Sequence, residues 1–312
     1  MIVTGKGGTG KTTVAAALAL AAARAGRRVL VAEMGPDEQI PGRIAPGSPD
    51  AGYAGRILHP GLTAMRIDPF EALAEYLGLQ IGTPGMVRRV LATQAFRQLM
   101  NAAPGWRELI TLGKVWHLEQ MEARGRSLYD LIVVDAPATG HGVAFLSVPR
   151  VVVSAVRAGP LRRHSQHVEE LLEDPDRTLL LPVALAEELP ARETAELVAR
   201  VRSEVGIPVD RVVVNAVAPR PFPPGLEQLD ARLGALPPDE DLGELPRPRA
   251  LAACAGFLRA RHALNRRHVE QIAAATSLPI VELPYLAAGA TGLGSLGVLA
   301  EALLEPPKGG TS

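Results

Sequence analysis

The sequence predicts an α/β fold, a mostly parallel sheet flanked by helices, and three observations carry that prediction. Short aliphatic and β-branched runs alternate with helical patterns along most of the 312 residues, as strand–helix–strand crossovers require. Several strand runs are apolar throughout, Leu131-Ile132-Val133-Val134 and Val212-Val213-Val214 among them, the pattern of strands covered on both faces. The first strand runs through a glycine-rich turn into an alanine-rich helix.

Taken in order, the expected strands are Met1–Thr4, Arg28–Glu33, Leu62–Ile67, Tyr129–Asp135, Thr178–Ala184, Arg211–Ala216 and Pro279–Leu283. Gly35 to Gly61 is rich in Gly and Pro and reads as a long loop. Thr83 to Arg124 reads as helix without a strand and contains both tryptophans, Trp106 and Trp116, so it is expected to be a helical subdomain inserted into a single domain of residues 1–312. Pro190 to Val205 carries Thr194, Leu197, Val198, Val201 and Val205 at helical spacing, with Pro190 in the first turn. Pro219 to Pro248 reads as a loop before a long helix of about Arg249 to Ala275. The uncharged run between Glu282 and Glu301 is broken by Pro284, Gly289, Gly292, Gly294 and Gly297, and reads as strand, loop and helix, with no integral membrane segment.

Composition narrows the function. With 33 basic and 33 acidic side chains and a pI near 7.1, no global field draws the chain to nucleic acid or anionic lipid. The one cysteine, Cys254, cannot close an intramolecular disulfide, nor supply a thiolate zinc site or an iron–sulfur cluster. Met1 runs directly into Ile2-Val3-Thr4, with no secretory pattern, and the expected compartment is the cytoplasm.

The chemistry lies in Gly5-Lys6-Gly7-Gly8-Thr9-Gly10-Lys11-Thr12-Thr13, which satisfies G-x-x-x-x-G-K-[ST] between a strand and a helix. Glycines at these positions let backbone N–H groups face inward as an anion nest, and the following helix adds its positive end. Lys11 is placed to reach the β- and γ-phosphates of a nucleotide, and Thr12 to offer a hydroxyl to Mg²⁺. Asp135 closes a buried strand at its carboxyl edge, where ligands of open α/β sheets bind and where a carboxylate can hold a water on Mg²⁺.

A second lysine, Lys6, directly follows the first glycine, and this K-G-G-x-G-K-T-T form resembles the deviant phosphate loop of the SIMIBI ATPases. Asp135-Ala136-Pro137-Ala138-Thr139-Gly140-His141, followed by Phe145-Leu146-Ser147-Val148-Pro149, looks like the switch II segment of the arsenite-transporting and tail-anchored-protein-targeting (ArsA-like) ATPase family. Ala186-Glu187-Glu188-Leu189 with Glu193-Thr194 resembles a further family segment; Val213-Val214-Asn215 resembles its adenine-reading strand end, and Glu282-Leu283-Pro284-Tyr285 its adenine loop. The resemblance covers nearly the whole chain. It implies ATP and Mg²⁺ as ligands, Lys6 reaching across a dimer to the partner's nucleotide, Glu33 in the outer shell of Mg²⁺, and adenine contacts from Asn215 and Pro284. It also implies a homodimer, or a heterodimer with a related ATPase, that couples nucleotide state to a partner or a hydrophobic protein client.

The sequence departs from the family in two places. Where switch I usually carries the aspartate that positions the attacking water stands Gly35, within Glu33-Met34-Gly35-Pro36-Asp37-Glu38, so Asp37 or Glu38 is the substitute acid, and a scaffold with little turnover is the rival reading. The cysteine clusters used by relatives for arsenite or zinc cannot form around Cys254, which counts against a metalloid efflux motor. His164 and His167 beside Glu170 read as a solvated helix face, with a metal face as the alternative. Arg259, Arg261, Arg266, Arg267 and His268 read as an exposed basic face.

Overall fold

The computed structural model describes residues 1–81, 84–91, 93–94, 105–137 and 142–306. Thr83, Phe96, Leu99, Met100 and residues 138–141 of the expected switch lie outside the described residues. Eight strands, β1 (Ile2–Thr4), β2 (Val29–Glu33), β3 (Arg56–His59), β4 (Leu62–Arg66), β7 (Leu131–Asp135), β8 (Leu180–Leu185), β9 (Val212–Val217) and β10 (Ile280–Pro284), form one sheet, and β5 (Glu122–Ala123) pairs with β6 (Arg126–Ser127) in a separate hairpin. The sheet order is β10-β9-β8-β1-β7-β2-β4-β3, parallel except for β3 against β4. All seven expected strands are present within two residues of their expected ends.

Helices cover both faces, and the period-2 alternation of each strand decides which. Val3, Val29, Val31, Val133, Val183 and Val213 point to α1 (Lys11–Arg24), α2 (Ile40–Ile44) and α11 (Gly292–Leu304). The alanines of α1 are what this face needs, because Ala15, Ala16, Ala17 and Ala19 are wholly buried and their small side chains let the helix lie close on the sheet. Ile2, Leu30, Ala32 and Val134 point the other way, into a core shared with α3 (Pro69–Ile81), α4 (Pro84–Leu91), α5 (Trp106–Gln120), α6 (Gly142–Ala155) and α7 (Pro160–Glu173). Towards β9 and β10 that face is closed by α8 (Glu188–Arg200), which runs into a π-helical turn Val201–Val205, and by α10 (Pro248–Thr276), while the short α9 (Leu229–Gly234) packs on α10.

Three expectations need correction, the first being that Pro219 to Pro248 is all loop, since it contains α9. The stretch from Gly35 to Gly61 is not all loop, since it contains α2 and β3. β3 escapes the strand pattern because it is an antiparallel edge with Ile57 75% exposed, joined to β4 through Gly61 at φ +77°. The helices between β4 and β7 start at Pro69, ahead of Thr83, and the stretch ends in a strand: Arg124 and Gly125, both at positive φ, make the two-residue turn of the β5–β6 hairpin. The run from Glu282 to Glu301 forms β10, a loop and α11 as expected, and among the described residues no helix is long and apolar enough to cross a membrane.

Asn265, buried on α10, ties the carboxyl ends of β8 and β9 together. Its Oδ1 accepts from Ala218 N–H at 2.8 Å and its Nδ2 donates to Ala186 O at 2.9 Å. Replacement by leucine strands two buried backbone groups, so Asn265→Leu is expected to cost roughly 2 to 5 kcal/mol in a urea titration.

Candidate functional site: a phosphate loop beside paired carboxylates

The loop between β1 and α1 turns inward at the middle of the sheet. Gly5 and Gly10 have φ of +149° and +85°, and each is pressed by a neighbour: a Cβ on Gly5 would stand 2.3 Å from Val183 O, and one on Gly10 2.2 Å from Asn215 Nδ2. At Gly5 the obstacle is backbone and only glycine fits; at Gly10 the positive φ favours glycine and a Cβ would displace the Asn215 amide. Gly8, also at positive φ, and Gly7 are exposed, leaving their backbone open on the ligand side. Thr9 is 1% exposed and its hydroxyl donates to Lys6 O at 2.9 Å, closing the loop on itself. The first intrahelical bond of α1 runs from Val14 N–H to Gly10 O at 2.9 Å, so the amides of Lys11, Thr12 and Thr13 are left for an anion.

Lys11 is buried, with Nζ donating to Lys6 O at 2.9 Å; burial lowers its pKa and the charge of Asp135 opposes that shift. Lys6 is different: it is exposed and ion-paired with Glu193 on α8. Sequence reasoning had no signal for that contact, which joins residues 187 positions apart.

Glu33 and Asp135 end neighbouring strands in matched register, Glu33 opposite Asp135. Both are buried, at 3% and 7% exposure. Glu33 Oε1 accepts the N–H groups of Gln39 and Ile40 at 2.8 and 3.1 Å, while Oε2 has no partner; Asp135 accepts from the Thr12 hydroxyl, while its Oδ1 has none. Desolvation raises the pKa of both, Glu33 to about 7, where the charges of Asp135 and Glu38 add to the effect of burial. Two desolvated carboxylates with an orphan oxygen each, beside a threonine hydroxyl, form the hard oxygen donor set that suits Mg²⁺.

The switch I acids separate. Glu38 has its carboxylate on the N–H groups of Ala51 and Gly52, at 2.6 and 3.0 Å, with Arg66 at 3.4 Å; it pins the loop ahead of β3. Asp37 is exposed at the rim. Asn215 sits under the phosphate loop, Nδ2 donating to Thr9 O at 2.9 Å, and the next residue, Ala216, has φ +55°. A non-glycine residue there is uncommon, and alanine gives no warning of it in the sequence. Pro284 closes β10 where the pairing with β9 shifts, and Tyr285 N–H reaches Val217 O at 2.9 Å.

The two basic or histidine-bearing faces are not simply solvated. His164 is buried between Tyr76 and Trp116, and no group of three His, Cys, Asp or Glu among the described residues could hold a metal. On α10, Arg266 pairs with Glu282 at 2.6 Å, Arg259 with Asp230 at 2.7 Å, Arg261 lies over Tyr285, and His268 is buried.

The family model described as anion-transporting ATPase matches residues 1–159. The ATPase BagA of Mycobacterium tuberculosis is 32% identical over 324 aligned positions, covering 97% of this chain and 92% of BagA. The chain belongs to the ArsA family of anion-transporting ATPases. A putative ATPase of Mycobacterium bovis matches to the same extent, and an arsenical pump-driving ATPase of Escherichia coli is 28% identical over 70% of this chain but 39% of its own length. As an ArsA-family ATPase the protein takes ATP as substrate, and the loop geometry is that of a phosphate cradle.

The raised pKa of Glu33 has a signed consequence for the nucleotide-free ATPase. A folded-state value near 7 against an ordinary 4.5 means the folded chain binds this proton more tightly than the unfolded chain, so stability falls as pH rises from about 4.5 through 7. Glu33→Gln keeps an acceptor for Gln39 and Ile40 and removes the charge. It is expected to be more stable than wild type at pH 8 by on the order of 2 kcal/mol, and no more stable at pH 4, by thermal melts without Mg²⁺ or nucleotide.

Proposed function

We propose that the protein is a cytoplasmic, Mg²⁺-dependent switch ATPase that works as a dimer, of two copies or with a related ATPase, and couples ATP binding and hydrolysis to a partner. The observation that supports it best is the contrast between the two lysines: Lys11 is buried beneath the phosphate loop while Lys6 stands outside it, exposed, on Glu193. In this reading residues 5–13 cradle the phosphates, with Gly5, Gly7, Gly8, Thr9 and Gly10 offering backbone, Lys11 and the amides at the start of α1 holding the β- and γ-phosphates, and Lys6 completing the partner's site.

Mg²⁺, when bound, neutralises phosphate charge; Thr12 and Asp135 hold it, with Glu33 in its outer shell. Asp37 orients the attacking water in place of the acid missing at Gly35, so the electrostatics of phosphoryl transfer rest on Lys11, Lys6 and the loop amides. Asn215 and Pro284 flank the adenine. Residues 1–312 act as one ATPase domain, and 83–124 with α3 form the layer that meets a partner or hydrophobic client.

Two phosphate-release variants test this. Lys11→Ala should abolish nucleotide binding, whereas Lys6→Ala should keep binding and lose both ATP-induced dimerisation, measured by light scattering, and turnover. Wild-type turnover in Lys6→Ala overturns the trans role. The rival reading, a nucleotide-gated scaffold with little turnover, is favoured by Gly35 itself. That glycine has an ordinary φ, and a Cβ on it would meet nothing nearer than Asp37 O at 3.6 Å, so nothing steric demands it. Gly35→Asp should therefore fold and raise kcat at least several-fold, while Asp37→Ala in the natural background should lower it. Unaltered turnover in Asp37→Ala would overturn Asp37 as the substitute acid, and negligible steady-state phosphate release by the natural chain at saturating ATP would favour the scaffold.

A further inference from the structure

A cavity of about 230 Å³ opens between α3, α5 and α7, in the helical layer and lined by none of the phosphate-site residues. Its walls are apolar and aromatic: Leu79 and Tyr76 from α3, Ile110 and Trp116 from α5, and the imidazoles of His164 and His167 from α7. The rings are ordered against each other. Trp116 and His167 stack with centroids 5.1 Å apart at 15°, and His164 lies 4.7 Å from Tyr76 and edge-on to Trp116 at 5.9 Å. Gly113 makes this arrangement fit, because a Cβ there would stand 2.1 Å from His164 Nε2.

The charges around the cavity do not balance. The one acid among its described lining residues, Glu75, is already satisfied: Lys114 Nζ lies 2.6 Å from it, Tyr53 donates to it and His117 is 3.6 Å away. Against the desolvation that raises it, those donors hold the Glu75 carboxyl below its usual range, so it stays an anion spent on Lys114. The other permanent cation among the described lining residues, Arg163, is exposed at the edge and has no ion pair or side-chain hydrogen bond among the described residues. The imidazoles do not converge on a point that could hold a metal ion. Burial lowers the pKa of His164, with the charges of His167 and His117 adding to the effect, so that ring serves as wall.

An aromatic-walled chamber with an unmatched guanidinium is chemistry for a molecule with an apolar body and one negative end. A cavity of about 150 Å³ already takes up benzene, so this one has room for a ring with a short acid-bearing chain. We propose that the cavity between α3, α5 and α7 binds a small amphipathic carboxylate, its apolar body against Tyr76 and Trp116 and its carboxylate on Arg163. The proposal does not rest on the dimeric reading or on Lys6.

The test uses the full chain and two probes of the same shape, 4-phenylbutyrate and its neutral amide 4-phenylbutanamide, titrated by calorimetry and by tryptophan fluorescence. Binding of the carboxylate is expected to be saturable and roughly tenfold tighter than that of the amide, and Arg163→Gln, a surface change that leaves the fold intact, should remove that difference. Trp116→Phe should abolish the fluorescence change while calorimetric binding of the carboxylate persists, which places the ligand against that ring. Equal affinity for acid and amide, an Arg163→Gln protein that still prefers the acid, a fluorescence change that survives in Trp116→Phe, or no saturable binding up to about 10 mM would each overturn the assignment.

Discussion

Two carboxylates in register, Glu33 on β2 and Asp135 on β7, are held out of water side by side, and the architecture of the site follows from that desolvation. Isolated, such a pair would be driven to protonate. Here each carboxylate keeps one oxygen on fixed donors, Gln39 and Ile40 N–H for Glu33 and the Thr12 hydroxyl for Asp135, and leaves the other bare. The short helix α2 exists at that point because its first amides are the donors Glu33 requires, and Lys11, buried beneath the loop, supplies the nearest opposite charge to Asp135. The sheet order serves the same end: β1 lies between β8 and β7, so the loop that leaves it opens directly beside Asp135 and against the β8 and β9 ends.

The fold was largely legible because buried parallel strands have no polar face to disguise them. Val31, Val133 and Val213 sit in runs that can only be strand interiors, and their strands were located to within two residues. β3 was not legible, since an edge strand with Ile57 in solvent carries neither an apolar run nor a clean alternation. The β5–β6 hairpin was hidden for another reason, its strands being two residues each and exposed. Of the site, the phosphate loop was readable from spacing alone, because Gly5 is fixed by a backbone contact that only glycine survives and Gly10 by a positive φ that favours glycine. The positions of Lys6 on Glu193, of Asn215 on Thr9 O and of Asn265 across two strand ends were not, for each is a contact between residues far apart in sequence whose types are common on surfaces.

The helical layer is where the sequence was most ambiguous, and the packing resolves part of that. Apolar residues at helical spacing in α5 could face a client or the sheet. Leu112, Val115 and Leu118 face the sheet, in one cluster with Leu30 and Val134, so they are core. Among the described residues of α3, Leu79 stays towards solvent, beside the ring-lined cavity. The ring-lined cavity is the part of that surface matched to a small ligand.

The same packing places the helix that follows β7 against the helical layer. After β7 the next helix is α6, and Val143, Phe145 and Leu146 of α6 lie in the core that holds Leu112 and Val115 of α5 and Val168 and Leu172 of α7. A close-packed core does not deform gradually, so a displacement of α6 large enough to matter must be taken up by α5 or α7 as a unit. Both helices line the cavity, and Gly113 on α5 and His164 on α7 touch across it with no slack for an added carbon.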